Sequence, residues 1–405
     1  MSVPYLALLL AGFSSGLPLL LVGKCLQAWL TTAGLSLEAL GAAGLVAAPW
    51  TFKVLWAPLV DRWAPPGGRR RGWILACVIG LTLGTAAMAW HKPPDGMTLL
   101  VVNALLIAVF SATQDVAIDA WRIENLPAER QGAGAAAGVM GYRLALIVTG
   151  GLGFTLADRL GWPQVYLLMA VAQGVGLLAA ALMRDLPRQI PAPATWQGAV
   201  VDPLGDLWQR HGAAGFALLV GIAVFYKFGD FLASSLSTPF LLKDQGFTLA
   251  EIGWVQNSWG IVATILGVVA GGALLPRVGI VRGLLWFGLI QATTNLSYAA
   301  LAAWGGGLPA LMAVMTIENL GSGLGTAALV AYFGSRCSPA YAATQYALLS
   351  SLMALGRDVL AAGGGWVKVH AGMSWTAYFI VCALAGIPAL LLIVGLRRNG
   401  PTAGP

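Results

Sequence analysis

The 405 residues are 58% hydrophobic and only 10% charged, where soluble globular domains carry about 25%. Too few charges remain to coat such a chain in water, so it reads as an all-α integral membrane protein and not as a soluble enzyme. The net charge of +7 does not point to nucleic acid, because the basic residues sit in short loops between apolar runs, where they mark topology.

A helix needs about 20 largely apolar residues to cross the hydrocarbon core. On that measure the chain is expected to cross the membrane twelve times, at about 4–32, 37–60, 73–91, 97–122, 132–157, 162–183, 214–242, 248–275, 283–304, 308–334, 342–369 and 374–396. The first run starts almost at Met1 and lacks a basic leader, so no cleaved signal peptide is expected. Cys25, Cys77, Cys337 and Cys382 are scattered without ligand spacing and read as packing residues.

The loops alternate in charge. One set holds Arg62 with Arg69–Arg71, Arg130, Arg184, Arg188 and Arg210, Arg277 and Arg282, Arg336, and Arg397 with Arg398. The other holds little beyond Lys92, Asp158 with Arg159, Lys243 with Asp244, and Lys368. The positive-inside rule then predicts cytoplasmic termini, as an even number of spans requires. Pro187, Pro191, Pro193 and Pro203 mark the longest connection, 184–213, as a cytoplasmic linker between an N-terminal half (1–183) and a C-terminal half (214–405).

The halves repeat at an offset of about 212 residues. Gly34–Gly41 (GLSLEALG) matches Gly246–Gly253 (GFTLAEIG), and both read as helix starts. Pro127-Ala128 matches Pro339-Ala340, Gly150-Gly151 falls near Gly364-Gly365, and Trp162 and Tyr166 fall on Trp375 and Tyr378. A six-plus-six parallel duplication is the layout of the major facilitator superfamily, whose substrate site lies near the bilayer midplane.

Charged groups inside the spans carry the chemistry, because a charge at that depth costs a few kcal/mol or more and is kept for a partner or a water-filled path. On span 4, Asp115 and Asp119 share a face, with Gln114 beside them and Arg122 one turn on. Asp115 and Asp119 are both candidates for proton coupling; Asp115 is the deeper and the better one, while Asp119 with Arg122 reads more readily as a structural pair. Lys227 and Asp230 on span 7 are three apart, either a neutral structural pair or ligand contacts. Glu318 and Asn319 on span 10 suit hydroxyl or peptide groups. Gly321, Gly323 and Gly325 after them allow either bending or close helix packing. Tyr142 and Arg143 on span 5, and Arg357 with Asp358 on span 11, supply cations for a carboxylate ligand or for an acid on another helix. Gln256, Asn257 and Trp259 on span 8 form a polar-aromatic group of the kind a sugar or peptide site requires. Lys24, Gln27 and Trp29 form another on span 1, where Trp29 is expected to anchor at the interface. Lys53 is expected to snorkel or to pair. His91, His211 and His370 are not spaced as metal ligands. No phosphate loop or nucleophile elbow is present, which argues against ATP-driven transport by this chain alone.

Longer motifs are more specific: SGLPLLLVGKCLQAWL, FKVLWAPLVDRW with GRRRGW, SATQDVAIDAW, LPAERQGAGAAAGVMGYRLAL, YKFGDFLASSLSTPFL, ENLGSGLGTAALVA and ATQYALLSSLMALGR. Across nearly the whole chain these resemble the muropeptide permease (AmpG-type) family. The resemblance implies an inner-membrane importer of anhydromuropeptides, in which N-acetylglucosamine is linked to anhydro-N-acetylmuramic acid and a short peptide. Import would be driven by protons with no cofactor, for cell-wall recycling and beta-lactamase induction. On the family's polar positions fall Gln114, Asp115, Asp119, Tyr142, Arg143, Lys227, Asp230, Glu318, Asn319 and Arg357. Lys24 departs from the pattern and is not supported as a site residue. Some members carry two further C-terminal helices; the twelve spans read here depart from that pattern, so those helices are expected not to be essential. Expected partners are the glycopeptide and membrane lipids, with no nucleic acid and a monomeric state. The alternatives are a related siderophore or acetyl-CoA importer, and a receptor that binds ligand without moving it.

Overall fold

The computed structural model describes residues 3–33, 44–93, 95–186, 195–357 and 364–399. Among these the backbone is helical almost throughout and contains no strand. Eight helical segments of the described residues are long and apolar enough to cross a membrane. The chain divides into two compact units, Met1–Pro203 with Cys337–Leu348, and Leu204–Arg336 with Leu349–Pro405.

In the first unit, span 1 (3–32) widens to a π-helical turn at Leu21–Cys25. Span 3 is Arg69–Met88, span 4 is Met97–Asn125, span 5 covers 131–160 and span 6 covers 162–182. Span 1 packs on spans 5 and 6, span 3 on spans 4 and 6, and span 2 on span 4. Glycines permit the closest of these approaches: a Cβ on Gly12 or Gly141 would overlap the backbone of the opposite helix. Leu17, Leu26, Leu81, Ile107 and Met169 fill the core, with Trp29 packed on Tyr166 at a centroid distance of 5.3 Å. Trp29 is therefore a core residue, not the interfacial anchor that the sequence suggested.

Span 2 departs from the continuous helix read at 37–60. Its first residues, with Gly34–Gly41, lie outside the described residues. From there it consists of Ala48–Phe52, a tight turn at Lys53–Leu55, a non-helical Trp56, and Ala57–Arg62. Pro58 is the physical reason. It has no N–H to give to the carbonyl four residues back, and its ring crowds the preceding turn.

The second unit repeats the same internal packing. Span 7 packs on spans 11 and 12, span 9 on spans 10 and 12, and span 8 on span 10. Each of these pairings corresponds to one in the first unit, although Cys337–Leu348, at the start of span 11, groups with the first unit. Span 8 starts where its sequence predicted. Thr248 Oγ1 accepts from the Glu251 N–H at 3.2 Å, and Glu251 Oε2 accepts from the Thr248 N–H at 2.8 Å. Span 10 is one unbroken helix, Gly307–Arg336. Of the two readings of its glycines, packing is the one observed. A Cβ on Gly321 would meet Thr294, one on Gly323 the backbone of span 8, and one on Gly325 the Gln291 side chain. Phe240, Tyr298, Met315 and Phe379 form the core of this unit. The linker helix begins at Trp196 and breaks at Gly212, whose φ of 65° is left-handed backbone that favours glycine. All four cysteines are free and buried.

Candidate functional site

Two adjacent serines of span 1 organise the buried polar groups of the first unit. Ser15 donates its hydroxyl to Asp115 Oδ1 at 2.5 Å. Gln114 Nε2 and Gln173 Nε2 both donate to Ser14 Oγ, at 3.0 and 2.8 Å, and Gln173 also bonds the Ser14 carbonyl at 3.0 Å. Ser14, Gln114 and Gln173 are fully buried. Spans 1, 4 and 6 are thus tied together beside Asp115, and Gln114 spends its amide on Ser14.

One turn along, Arg122 contacts Asp119 at 3.4 Å, donates to Gln131 Oε1 at 2.7 Å and lies over the Tyr346 ring at 5.3 Å. Gln131 in turn donates to the Leu126 carbonyl at 2.7 Å, which closes the end of span 4. Asp119 with Arg122 therefore sits in a framework spanning the start of span 5 and Tyr346 of span 11, as a structural pair would. Lys53, at the break in span 2, is buried as a residue. Its charge acts on both Asp115 and Asp119.

A second ionic cluster lies at the end of spans 2 to 4. Arg70 is fully buried. Its guanidinium donates to Asp61 Oδ1 at 2.5 Å, to Glu124 Oε1 at 2.6 Å and to the Val60 carbonyl at 2.7 Å. Arg69 pairs with the other Glu124 oxygen at 2.5 Å. The remaining capacity of Asp61 goes to the start of span 11, which donates from the Thr344 N–H at 2.8 Å and the Thr344 hydroxyl at 2.7 Å. A carboxylate at a helix N-terminus satisfies orphan donors and matches the dipole. Asp185 does the same for span 3 through the Arg70 N–H at 3.0 Å.

In the second unit, Lys227 and Asp230 flank an interruption of span 7 and are both buried. Lys227 Nζ meets Asp230 Oδ2 at 3.3 Å and donates to the Ser322 carbonyl and hydroxyl of span 10, each at 2.9 Å. Asn295 of span 9 donates to Asp230 Oδ1 at 3.3 Å. Asn319 is held by Thr264 Oγ1 at 2.8 Å and donates to the Met315 carbonyl at 2.9 Å. Glu318 lies half-buried on the same helix, and its charge reaches Tyr298. Trp259 is partly exposed and donates to Thr316 Oγ1 at 2.8 Å. No group of three or more potential metal ligands occurs among the described residues.

The sequence profile of the Major Facilitator Superfamily matches residues 5–233. The anhydromuropeptide permease of Escherichia coli strain K12 is 42% identical over 395 residues, covering 97% of this chain and 79% of that protein. The chain belongs to the muropeptide permease family of that superfamily. Among solved structures, the E. coli fucose:proton symporter superposes with a TM-score of 0.73 at 16% identity, covering 99% of each chain. A human organic anion transporter gives 0.70 at 19% identity, covering 97% of this chain and 98% of that one. These identities speak to the fold alone. The relatives and the fold are those of transporters, so this permease moves a small-molecule substrate across a membrane and is not an enzyme.

Within the permease the predicted site residues fall into three groups. Gln114, Asp115 and Asp119 belong to the first-unit network, and Lys227, Asp230, Glu318 and Asn319 to the second-unit one. Tyr142 and Arg143 are half-buried on span 5, and Gln256 is half-buried in the π-helical turn Val255–Trp259, which also carries the Asn257 backbone. Such turns recur at functional sites. Arg357 is exposed, and Asp358 lies outside the described residues. Lys24 and Gln27 are exposed too. Ser14, Ser15, Gln173, Asn295 and Ser322 were missed. Their only sequence signal is a polar side chain inside an apolar run.

Proposed function

We propose that the permease imports anhydromuropeptides from the periplasm by proton symport, through alternating access. It would reside in the bacterial inner membrane with both termini cytoplasmic, as a monomer, using protons and no cofactor. Asp115 is the proton carrier in this reading. Asp119 is already held by Arg122, whereas among the described residues the hydrogen-bond partner of Asp115 is the Ser15 hydroxyl, which it keeps in either protonation state.

The observation that carries the substrate is 42% identity with an anhydromuropeptide permease over nearly the whole chain. The polar groups suit such a ligand, with amides and carboxylates for sugar hydroxyls and peptide groups, and cations for carboxylates. Gln114, Tyr142, Arg143, Lys227, Asp230, Gln256, Asn257, Glu318, Asn319 and Arg357 are the proposed contacts, although the Gln114 amide is bonded to Ser14. The test is uptake of labelled anhydromuropeptide into proteoliposomes with and without a proton gradient. Gradient-driven accumulation is expected. Binding without counterflow would turn the reading to a receptor, and uptake of an iron–siderophore instead would turn it to a siderophore importer.

A further inference from the structure

Two lysines sit at helix breaks inside this permease, and they are not treated alike. Lys227, at the interruption of span 7, spends its ammonium on Asp230 and on two oxygens of Ser322. Lys53, at the interruption of span 2, is just as buried at 7% exposure. Yet among the described residues it makes no hydrogen bond, and no carboxylate lies within 4.0 Å of it. The side chain is largely withdrawn from water, although its ammonium nitrogen is not among the fully enclosed unpartnered atoms, and a cation so placed calls for a counter-charge. Broken membrane helices are also where transporters place ligand groups.

The surroundings of Lys53 define what can supply that charge. Facing Asp115 are the Ser15 hydroxyl from span 1, Lys53 from span 2, the buried Cys77 thiol from span 3 and Asp119 on its own helix. Asp119 is paired with Arg122 and also bonded by Tyr346 of span 11. With that pair neutral, Asp115 and Lys53 balance each other at a distance. Once Asp115 accepts a proton, the only carboxylate among the described residues of the unit whose charge still acts on Lys53 is Asp119, which is already paired with Arg122.

We propose that Lys53 is an anion-binding side chain of the permease, receiving a carboxylate of the substrate's peptide when Asp115 is protonated. This rests on the substrate reading given above. The step moves one proton from water to the Asp115 carboxylate and brings one carboxylate to Lys53, so the buried charge stays balanced. Loss of the proton on the other side of the membrane restores Asp115 as the counter-ion and frees the substrate carboxylate. Coupling of this kind is reciprocal, so protons tighten substrate binding and substrate tightens proton binding.

The test compares two ligands on the purified full-length permease. One is the anhydromuropeptide with its peptide carboxylates free, and the other is the same molecule with all of them converted to primary carboxamides. The wild type is expected to bind the free acid about tenfold more tightly than the amide, with the gap widening as pH falls. K53Q is expected to bind both forms about equally at every pH, and K53R to keep most of the preference. Size-exclusion and thermal melting establish that each variant is folded. A K53Q protein that still prefers the acid, or a wild type that binds acid and amide alike, overturns the role of Lys53 while leaving muropeptide import standing. A folded wild type that binds neither form overturns the substrate reading, and this inference with it.

Discussion

Ser15 on span 1 donates its hydroxyl to Asp115 on span 4 at 2.5 Å, a bond between residues a hundred positions apart. Among the described residues Asp119 on the same helix face has an arginine partner and Asp115 has none. Asn at Asp115 keeps the shape and a bond to Ser15 but cannot carry a proton. D115N is expected to lose gradient-driven accumulation of labelled anhydromuropeptide while retaining counterflow, which needs only binding and reorientation. Accumulation at the wild-type level would move the coupling role to another acid.

Ser14, next in the chain, takes bonds from two amides at once. Ser14→Ala strips Gln114 of that acceptor and leaves Gln173 only the backbone carbonyl. Each buried donor left unsatisfied costs about 1–3 kcal/mol. S14A is expected to lower the melting temperature in detergent by several degrees. Unchanged melting would mean that the two glutamines find other acceptors.

The fully buried Arg70 joins the buried Asp61 to the half-buried Glu124, and Asp61 holds the first turn of span 11. Removing one partner of a buried ionic cluster costs about 3–5 kcal/mol, because the opposite charges stay behind. R70M is expected to be among the least stable single variants, with Glu124 keeping only Arg69. Asp61→Asn should cost less, since its amide oxygen can still accept from Thr344. Equal melting of R70M and wild type would show that the cluster contributes nothing net.

The spans could be read from sequence because a bilayer sets one length, and runs such as 97–122 meet it. The start of span 8 could be read because Thr248 and Glu251 cap it from within four residues. The break in span 2 could not, since Pro58 can also sit in the first turn of a helix and the apolar run around Lys53 is unbroken. The site was half legible for a similar reason. An acid in a membrane span is conspicuous by its cost, so Asp115, Asp119, Asp230 and Glu318 stood out. Ser14, Gln173 and Asn295 are cheap enough to pass as ordinary helix residues, and their partners lie 65 to 159 positions away. Trp29 was misread because tryptophan favours the interface on average, while here Tyr166 offers it a core face.

Gly323 faces the backbone of span 8 so closely that a methyl group would overlap it. Two long helices would have to separate along their contact. Overpacking of this kind costs about 1–3 kcal/mol. G323A is expected to melt lower than wild type and to slow counterflow, whereas alanine at Gly253, where a Cβ meets nothing within 4 Å, should change neither. Wild-type behaviour of G323A would mean that the contact between spans 8 and 10 adjusts easily.

Lys227 and Asp230 present a choice that paired substitutions decide. As a structural ion pair they should tolerate joint replacement better than single loss, since a lone buried charge is worse than none. K227M and D230L alone are each expected to destabilise by about 3–5 kcal/mol, and the K227M/D230L double variant by less than either. Transport then separates the two roles. If the pair only holds span 7 to Ser322 and Asn295, the double variant regains counterflow along with stability. The reading of these residues as substrate contacts requires the opposite, a double variant that melts near wild type and fails to exchange anhydromuropeptide. Recovered exchange in that variant would remove Lys227 and Asp230 from the binding site.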